Sequence, residues 1–350
     1  MEATVYKCPG CGADIKYNPT LQLFSCDYCL NTYTVEEMDA FASGNSAKKK
    51  KEQNETKEFE TMEADEYRCS QCGAVVVTDE HTVATFCLYC QNPSIIKQHV
   101  SDMYLPDLVI PFKIDRESAI TNYKKWSNKF FVPKDFKTLE QQEKMRGLYI
   151  PYWLFDITGD FDFSGTAKRI KTWRSGDYRY TKTDTYQIDR SGIMNFLKVP
   201  TDASSKMDNE TMNIIEPYNY TELEPFNAAF LSGFYAEKYD ETQEVTYPRI
   251  ESEIKRNITS EIGRSTGQYT NTQFIKRDLS LNQTKIHYSF FPVWILTYKY
   301  NDKIYQFTMN AQTGKLHGKL PIDKSKVMLF LGLVTLIIFI VVFIGSMVGL

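Results

Sequence analysis

Hydrophobic and polar positions change period along the chain, and each change predicts an element. "YIPYWLFDITGDFDFSG", from Tyr149, alternates around Gly159-Asp160 and reads as a hairpin. "FFPVWILTYKYNDKIYQFTMN", from Phe290, alternates in the same way around Asn301-Asp302. Pro151 and Trp153 in the first correspond to Pro292 and Trp294 in the second, so the hairpins read as two copies of one unit. Between them Ile250, Ile254, Ile258 and Ile262 recur every four residues, with Pro248 before and Gly263 after. That spacing predicts an amphipathic helix whose isoleucines face a core. "DLVIPFKI" is strand-like, and "DRESAITNYKKWSNKF" is helical with Asp115 as N-cap. Thr34-Val-Glu-Glu37 is a capping-box pattern opening a short helix that Gly44 would stop. Residues 44–66 are almost wholly charged or polar and predict a flexible tether. Asp202–Glu216, also polar, reads as a loop excursion.

The last stretch, 327–350, is uncharged. About 20 such residues cross a hydrocarbon core of roughly 30 Å, so a transmembrane helix is expected there. Lys315, Lys319, Lys324 and Lys326 precede it against one acid, Asp323. Positive charge stays on the cytoplasmic side and also suits anionic lipid headgroups. The N-terminus has no basic segment followed by an apolar one, so no secretory signal is expected. The expectation is a single-pass, tail-anchored cell-membrane protein with its N-terminal bulk in the cytoplasm.

A repeat organises the N-terminal region. "YKCPGCGADIKYNPTLQLFSCDYCLN" starts at Tyr6 and "YRCSQCGAVVVTDEHTVATFCLYCQN" at Tyr67. Without gaps, Cys8, Cys11, Gly12, Ala13, Cys26, Tyr28, Cys29 and Asn31 match Cys69, Cys72, Gly73, Ala74, Cys87, Tyr89, Cys90 and Asn92. All eight cysteines fall in four CxxC pairs, which in a reducing compartment favours metal over disulfides. Two residues between cysteines let a tight knuckle present both sulfurs to one ion, and Gly12 and Gly73 supply the permissive backbone that follows. The expectation is two Zn2+ per chain, one held by Cys8, Cys11, Cys26 and Cys29, the other by Cys69, Cys72, Cys87 and Cys90. Iron in a rubredoxin-like site is the alternative that a tetrathiolate also accepts. Four protein ligands close a site to substrate, so its role would be structural. Such small modules have almost no core, and metal binding would supply their folding free energy.

The expected class is α+β: zinc ribbons at 1–43 and 67–99, the tether at 44–66, a mixed α/β-hairpin domain at 100–320 and the transmembrane helix at 327–350. The 23 Tyr and 22 Phe favour β-rich packing. The net charge of −3 points to no polyanionic partner. In 1–43 only Lys7 and Lys16 oppose six acids, and in 67–99 Arg68 and Lys97 balance Asp79 and Glu80. Phosphate binding needs clustered cations, so the ribbons argue against nucleic acid. No GxxxxGK[ST] or HExxH occurs, and the cysteines are committed to metal. His81, His99, His287 and His317 lie far apart, and Asp156, Asp160 and Asp162 are placed as turn acids. The chain is not expected to be an enzyme.

The double ribbon, "CPGCGADIKYNP" with "FSCDYC", and "FFPVWILTYKY" followed by "FTMNAQTGKLHGKLP" resemble a bacillar family of membrane-anchored zinc-ribbon proteins, YdjG-like. Its members are often called TFIIB-type zinc-ribbon or primosomal-helicase-like proteins, although this sequence has no helicase nucleotide motif. The resemblance covers essentially the whole chain. It implies an adaptor in an envelope-stress module, beside a phage-shock-protein-A-like coat protein and an SPFH-domain protein, with the ribbons as docking domains and no catalytic residue. The expected function is recruitment of those partners to the cytoplasmic face of the membrane, with 100–320 setting spacing or binding a second membrane protein. A nucleic-acid-binding protein and a redox protein are the competing classes.

Overall fold

A computed structural model describes residues 7–13, 15–42, 61–78, 86–92, 95–138, 142–301 and 303–348. The first cysteine module contains a small antiparallel sheet, β1 (Lys16–Asn18), β2 (Leu23–Ser25) and β3 (Thr32–Tyr33), followed by α1 (Val35–Ala42). The capping box closes as its spacing predicts. The Thr34 N–H donates to Glu37 Oε2 at 2.9 Å, and the Glu37 N–H donates to Thr34 Oγ1 at 3.2 Å. The second module comprises β4 (Thr61–Cys69), β5 (Val75–Thr78) and β6 (Ile95–Tyr104). The tether and the stop at Gly44 lie outside the described residues as far as 60, and 61–66 begin β4.

The rest of the sheet is built from a strand–helix–hairpin unit that occurs twice. In the first copy β7 (Leu108–Val109) leads through α2 (Arg116–Ser127) to the long strands β8 (Arg146–Ser175) and β9 (Tyr178–Asp202). After α3 (Asn209–Ile215) and β10 (Glu224–Pro225), the second copy runs β11 (Tyr235–Glu237), α4 (Gln243–Ser265), β12 (Asn271–Tyr300) and β13 (Lys303–Asn310). The order β10-β7-β12-β8-β11-β5-β4-β6 is extended by β9 beside β8, and by β13 and β14 (Leu316–Gly318) beside β12.

The copies exchange edges about a local two-fold axis. β8 and β12 pair antiparallel with Ile150 opposite Phe291, which are equivalent positions in the two copies. β7 pairs parallel to β12, Leu108 facing Ser289, while β11 pairs parallel to β8, Tyr235 facing Leu148. The prolines fit because the N–H and C=O of one strand residue point the same way. Pro151 O accepts from the Ala203 N–H at 2.9 Å, away from β12, so its missing N–H costs the β8–β12 ladder nothing. Pro292 O accepts from the Ala311 N–H at 3.0 Å in the same way. Ala203 O then accepts from the N–H groups of Asp240 and Glu241, and Ala311 O from those of Lys113 and Ile114. Finally Trp153 Nε1 donates to Glu241 O at 2.9 Å, and Trp294 Nε1 donates to Ile114 O at 2.8 Å. Each tryptophan thus ties its own strand to the chain entering the other copy's helix.

Around this crossing sits the aromatic core. Phe112 meets Trp294 edge-on at 5.4 Å, and Tyr239 meets Trp153 edge-on at 5.5 Å. Ile250, Ile254, Ile258 and Ile262 are all buried, so the core-facing stripe holds. The helix starts earlier than its predicted boundary, at Gln243, which places Pro248 inside it. Asp115 caps α2 by accepting from the Ser118 N–H at 2.7 Å. The turn at Asn301, with φ of 48°, separates β12 from β13 as predicted.

Three expectations are corrected. β8 runs straight through Gly159-Asp160, and its hairpin turns instead at Gly176-Asp177. Gly159 serves helix packing, since a Cβ there would lie 2.7 Å from Ile258 Cδ1. Asp202–Glu216 is not a plain loop: it contains α3, capped by Asp208, with Met212 and Ile215 buried. The third correction concerns the fold class, α+β with two small zinc ribbons, a mixed α/β-hairpin domain and a C-terminal transmembrane helix. The protein is mostly one large mixed sheet, and the second cysteine module is part of it through β5 and β11. Among the described residues no helix is long and apolar enough to cross a membrane. α5 (Lys324–Val348) opens with Lys324, Ser325 and Lys326, and its side chains are described only to Ile340. The single-pass, tail-anchored placement expected from 327–350 is therefore not supported.

The crossing makes a symmetric prediction. Trp153→Phe and Trp294→Phe each leave a half-buried carbonyl without its donor, which costs about 1 kcal/mol. Urea unfolding should show comparable losses for the two variants. A neutral result for either would break the equivalence.

Candidate metal centres

Each cysteine module is two knuckles facing one another. In the first, the Gly12 N–H donates to Cys8 O at 2.8 Å and the Leu30 N–H donates to Cys26 O at 2.9 Å. In the second, the Gly73 N–H donates to Cys69 O and the Gln91 N–H to Cys87 O, each at 3.0 Å. Such tight turns need a left-handed residue after the second cysteine. Gly12 (φ 73°) and Gly73 (φ 70°) supply it without strain, whereas Leu30 (φ 60°) and Gln91 (φ 61°) adopt it against their side chains. The return bonds, from the Cys8 N–H to Ala13 O and the Cys69 N–H to Ala74 O, account for the matched alanines only as backbone acceptors.

The eight predicted cysteines come together as predicted. Cys8, Cys11, Cys26 and Cys29 form one group and Cys69, Cys72, Cys87 and Cys90 another, the sulfurs in each lying within 4.8 Å of one another. The closest pairs are Cys8–Cys29 at 3.4 Å, Cys11–Cys26 at 3.5 Å, Cys69–Cys90 at 3.5 Å and Cys72–Cys87 at 3.6 Å. A tetrahedron of sulfurs around a metal at 2.3 Å has edges of about 3.8 Å, so each group has nearly that size.

The electrostatics suit the same chemistry. Burial pushes the Cys8 thiol up, but a hydrogen bond from Cys29 and the N–H groups of Gly10 and Cys11 bring it down to about 6. The Asn31 N–H lowers Cys29, yet the neighbouring sulfurs of Cys8, Cys11 and Cys26, together with burial, carry it up to about 12. In the second group burial opposes the backbone donors at Cys72 and Gln71, which nevertheless bring Cys69 to about 7. Cys87 is raised, first by burial. In each group, therefore, one thiol is held low and a neighbouring one high. Both groups could hold a metal ion.

The two modules sit differently on the body. In the second, the knuckle residue Tyr89 is buried and its hydroxyl donates to Glu237 Oε2 at 2.6 Å, while Leu88 O accepts from Thr297 Oγ1 at 2.5 Å. Ser204 Oγ donates to the other oxygen of Glu237 at 2.6 Å. The first module docks through its sheet instead. Gln22 Nε2 donates to Phe112 O at 2.5 Å, Thr20 Oγ1 donates to Asp115 Oδ2 at 2.8 Å, and Tyr17 packs edge-on against Phe230 at 5.5 Å. Its second knuckle faces solvent: Tyr28 is 81% exposed and Leu30 82%.

With this geometry established, comparison with known proteins decides the relationship. The chain is 33% identical over 323 residues to "Uncharacterized protein YdjG" of Bacillus subtilis (strain 168), covering 92% of this chain and 91% of that protein. The chain belongs to the YdjG family. No family model matches it, and no solved structure matches it.

Other candidates singled out in the sequence do not converge. Among the described residues only the two cysteine groups bring three or more metal-binding side chains together. His81 lies outside the described residues, His287 stands 3.8 Å from Asp107, and His317 is on β14. Asp156, Asp160 and Asp162 lie along β8 rather than on a turn. Asp156 accepts from the Lys198 N–H at 2.7 Å, beside a bulge, and Asp162 pairs with Lys276. Glu237 and Ser204 carried no sequence signal, because Glu237 meets Tyr89 across 148 residues of chain.

Glu237 gives this docking a pH dependence. Burial raises its carboxyl to about 7 despite the hydroxyls of Ser204 and Tyr89. An unfolded glutamate titrates near 4.3, so the folded state binds more protons between the two values. Stability from this group is present below about 4.3 and is lost as pH rises through about 7. Thermal unfolding of Glu237→Gln should therefore improve relative to wild type as pH rises across that window. A constant difference would contradict the assignment.

Proposed function

We propose that the chain is an adaptor whose two cysteine groups are zinc ribbons, and that the second knuckle of the first ribbon is its partner-docking surface. The observation that carries this reading is the unequal fate of one repeated structure. In the second ribbon the knuckle Cys87-Leu88-Tyr89-Cys90 is pressed into the sheet by a tyrosine–carboxylate bond and an apolar contact. In the first, Cys26-Asp27-Tyr28-Cys29 has the same knuckle hydrogen bonds, yet Tyr28 and Leu30 stand in solvent. Leu21 and Phe41 of the same module are also exposed, at 54% and 63%. Exposed aromatic and aliphatic side chains on a rigid support suit a protein interface, where tyrosine is a common anchor.

The metal in this reading is zinc, because closed four-thiolate knuckles are its usual structural setting. All four positions are protein sulfurs, so the ion organises a surface and leaves none open for substrate. The ribbons' own charges do not favour nucleic acid, and the partners proposed are proteins: a phage-shock-protein-A-like coat protein and an SPFH-domain protein.

Tyr28→Ala combined with Leu30→Ala tests the surface. Exposed substitutions of this kind usually change stability by less than about 0.5 kcal/mol, so the fold and two zinc ions per chain should survive, as thermal unfolding and elemental analysis would show. Co-purification of a co-expressed phage-shock-protein-A-like or SPFH-domain partner should fall at least tenfold. Full retention of both partners would remove the docking role from this knuckle, and iron in place of zinc would favour the redox alternative.

A further inference from the structure

The β8–β9 hairpin outruns the sheet that supports it. β12 accompanies β8 as far as the pair Asn271↔Lys168, and beyond that β8 and β9 continue as a ribbon of two strands. The ribbon closes at Gly176, whose φ of 58° suits the turn. Its pairs run Arg169↔Asp184, Ile170↔Thr183, Lys171↔Lys182, Thr172↔Thr181, Trp173↔Tyr180, Arg174↔Arg179 and Ser175↔Tyr178. Every residue from 170 to 183 is exposed. At about 3.4 Å per residue the ribbon projects about 20 Å from the body. Two-stranded hairpins are marginal in water, so this length has little value to the fold itself.

Its charge is unlike that of the rest of the molecule. The chain carries −3 overall, yet 168–183 holds Lys168, Arg169, Lys171, Arg174, Arg179 and Lys182 against Asp177 alone. Side chains alternate between the two faces of a ribbon. Lys171 and Lys182 share one face with Trp173, Tyr178 and Tyr180, and the Trp173 and Tyr180 rings stack at 5.7 Å with planes 15° apart. Lys168, Arg174 and Arg179 share the other with Thr172, Thr181, Thr183 and Thr185. Two like-charged pairs, Lys171↔Lys182 and Arg174↔Arg179, sit directly opposite, an arrangement that destabilises a sheet. Lys182 reaches Asp184 at 3.3 Å, but Arg174 and Arg179 form no ion pair with a described carboxylate. Repulsion held at an exposed, protruding tip calls for an external anion.

We propose that this ribbon binds double-stranded nucleic acid by entering the major groove. That groove, about 12 Å wide and 8.5 Å deep, admits a two-stranded β-ribbon. Cations on both faces then meet phosphates on both walls, whereas a flat anionic surface would engage one face and strand the other. Threonine hydroxyls on one face and Trp173 with the tyrosines on the other add hydrogen bonds and sugar contacts, and release of condensed counterions drives association. This is a second binding surface, separate from the cysteine modules and independent of their proposed role.

Fluorescence anisotropy with the purified full-length chain tests it. The probes are a labelled duplex of about 20 base pairs, roughly two helical turns, a single strand of equal length, and vesicles of anionic phospholipid. The duplex should bind best, with affinity falling steeply with salt at a log–log slope of about −0.9 per phosphate contacted. Arg174→Glu with Arg179→Glu should weaken duplex binding at least tenfold and flatten that slope by about 2. Arg174→Glu alone converts a like-charged pair into an opposite one, so it should weaken binding while leaving the thermal midpoint equal or higher. Tighter binding to the single strand or to vesicles, no salt-dependent duplex binding, or unchanged binding by these variants would each overturn the proposal.

Discussion

Everything in the large sheet depends on how two prolines are accommodated where its longest strands cross. Pro151 and Pro292 sit on either side of the Ile150–Phe291 pair, and each keeps its donor-free face away from the other long strand. The carbonyls on that side then recruit Ala203 and Ala311, whose own carbonyls hold the chain entering α4 and α2. Trp153 and Trp294 close the two circuits with their indole N–H groups. Residues distant in sequence are thereby fixed at buried polar contacts, where a missing partner is costly. The helices, the aromatic core and the edge that receives the second cysteine module take their positions from this crossing.

The cysteine modules illustrate the opposite principle. Their shape comes from four short turns and a cluster of sulfurs, with little apolar mass, so identical local structure can be put to different uses. One copy gives up its second knuckle to the sheet, where Tyr89 meets the buried carboxylate of Glu237. The other attaches by Gln22, Thr20 and Tyr17 and leaves Tyr28 and Leu30 outward. In the proposed reading, duplication produced one module that joins the scaffold and one that remains available to a partner.

Local chemistry was legible in the sequence, because its causes lie within a few residues. The CxxC spacing, the Thr34–Glu37 capping box, Asp115 as a cap, the isoleucine stripe and the turn at Asn301 all depend on neighbours. The PxW correspondence was visible as well, but its meaning was not, since the tryptophans act across the axis on the other copy. Gly159 misled because a glycine that opens a turn and one that admits Ile258 look alike in a sequence. Tyr28 and Tyr89 occupy matched positions, and only the body's shape separates the exposed one from the buried one. The apolar run after Lys326 read as a membrane span, whereas no described helix is long and apolar enough to cross one.

In the proposed reading the crossing holds the scaffold and metal holds the knuckles, so the two should separate when metal is withdrawn. Hydrogen exchange of the full-length chain, with and without a chelator, measures this directly. Amides of Gly12, Leu30, Gly73 and Gln91, which bond to cysteine carbonyls, should lose protection on chelation. Those of Ala203, Ala311 and Asp240 at the crossing should keep theirs. Knuckle amides indifferent to the chelator, or crossing amides that open together with them, would contradict the account.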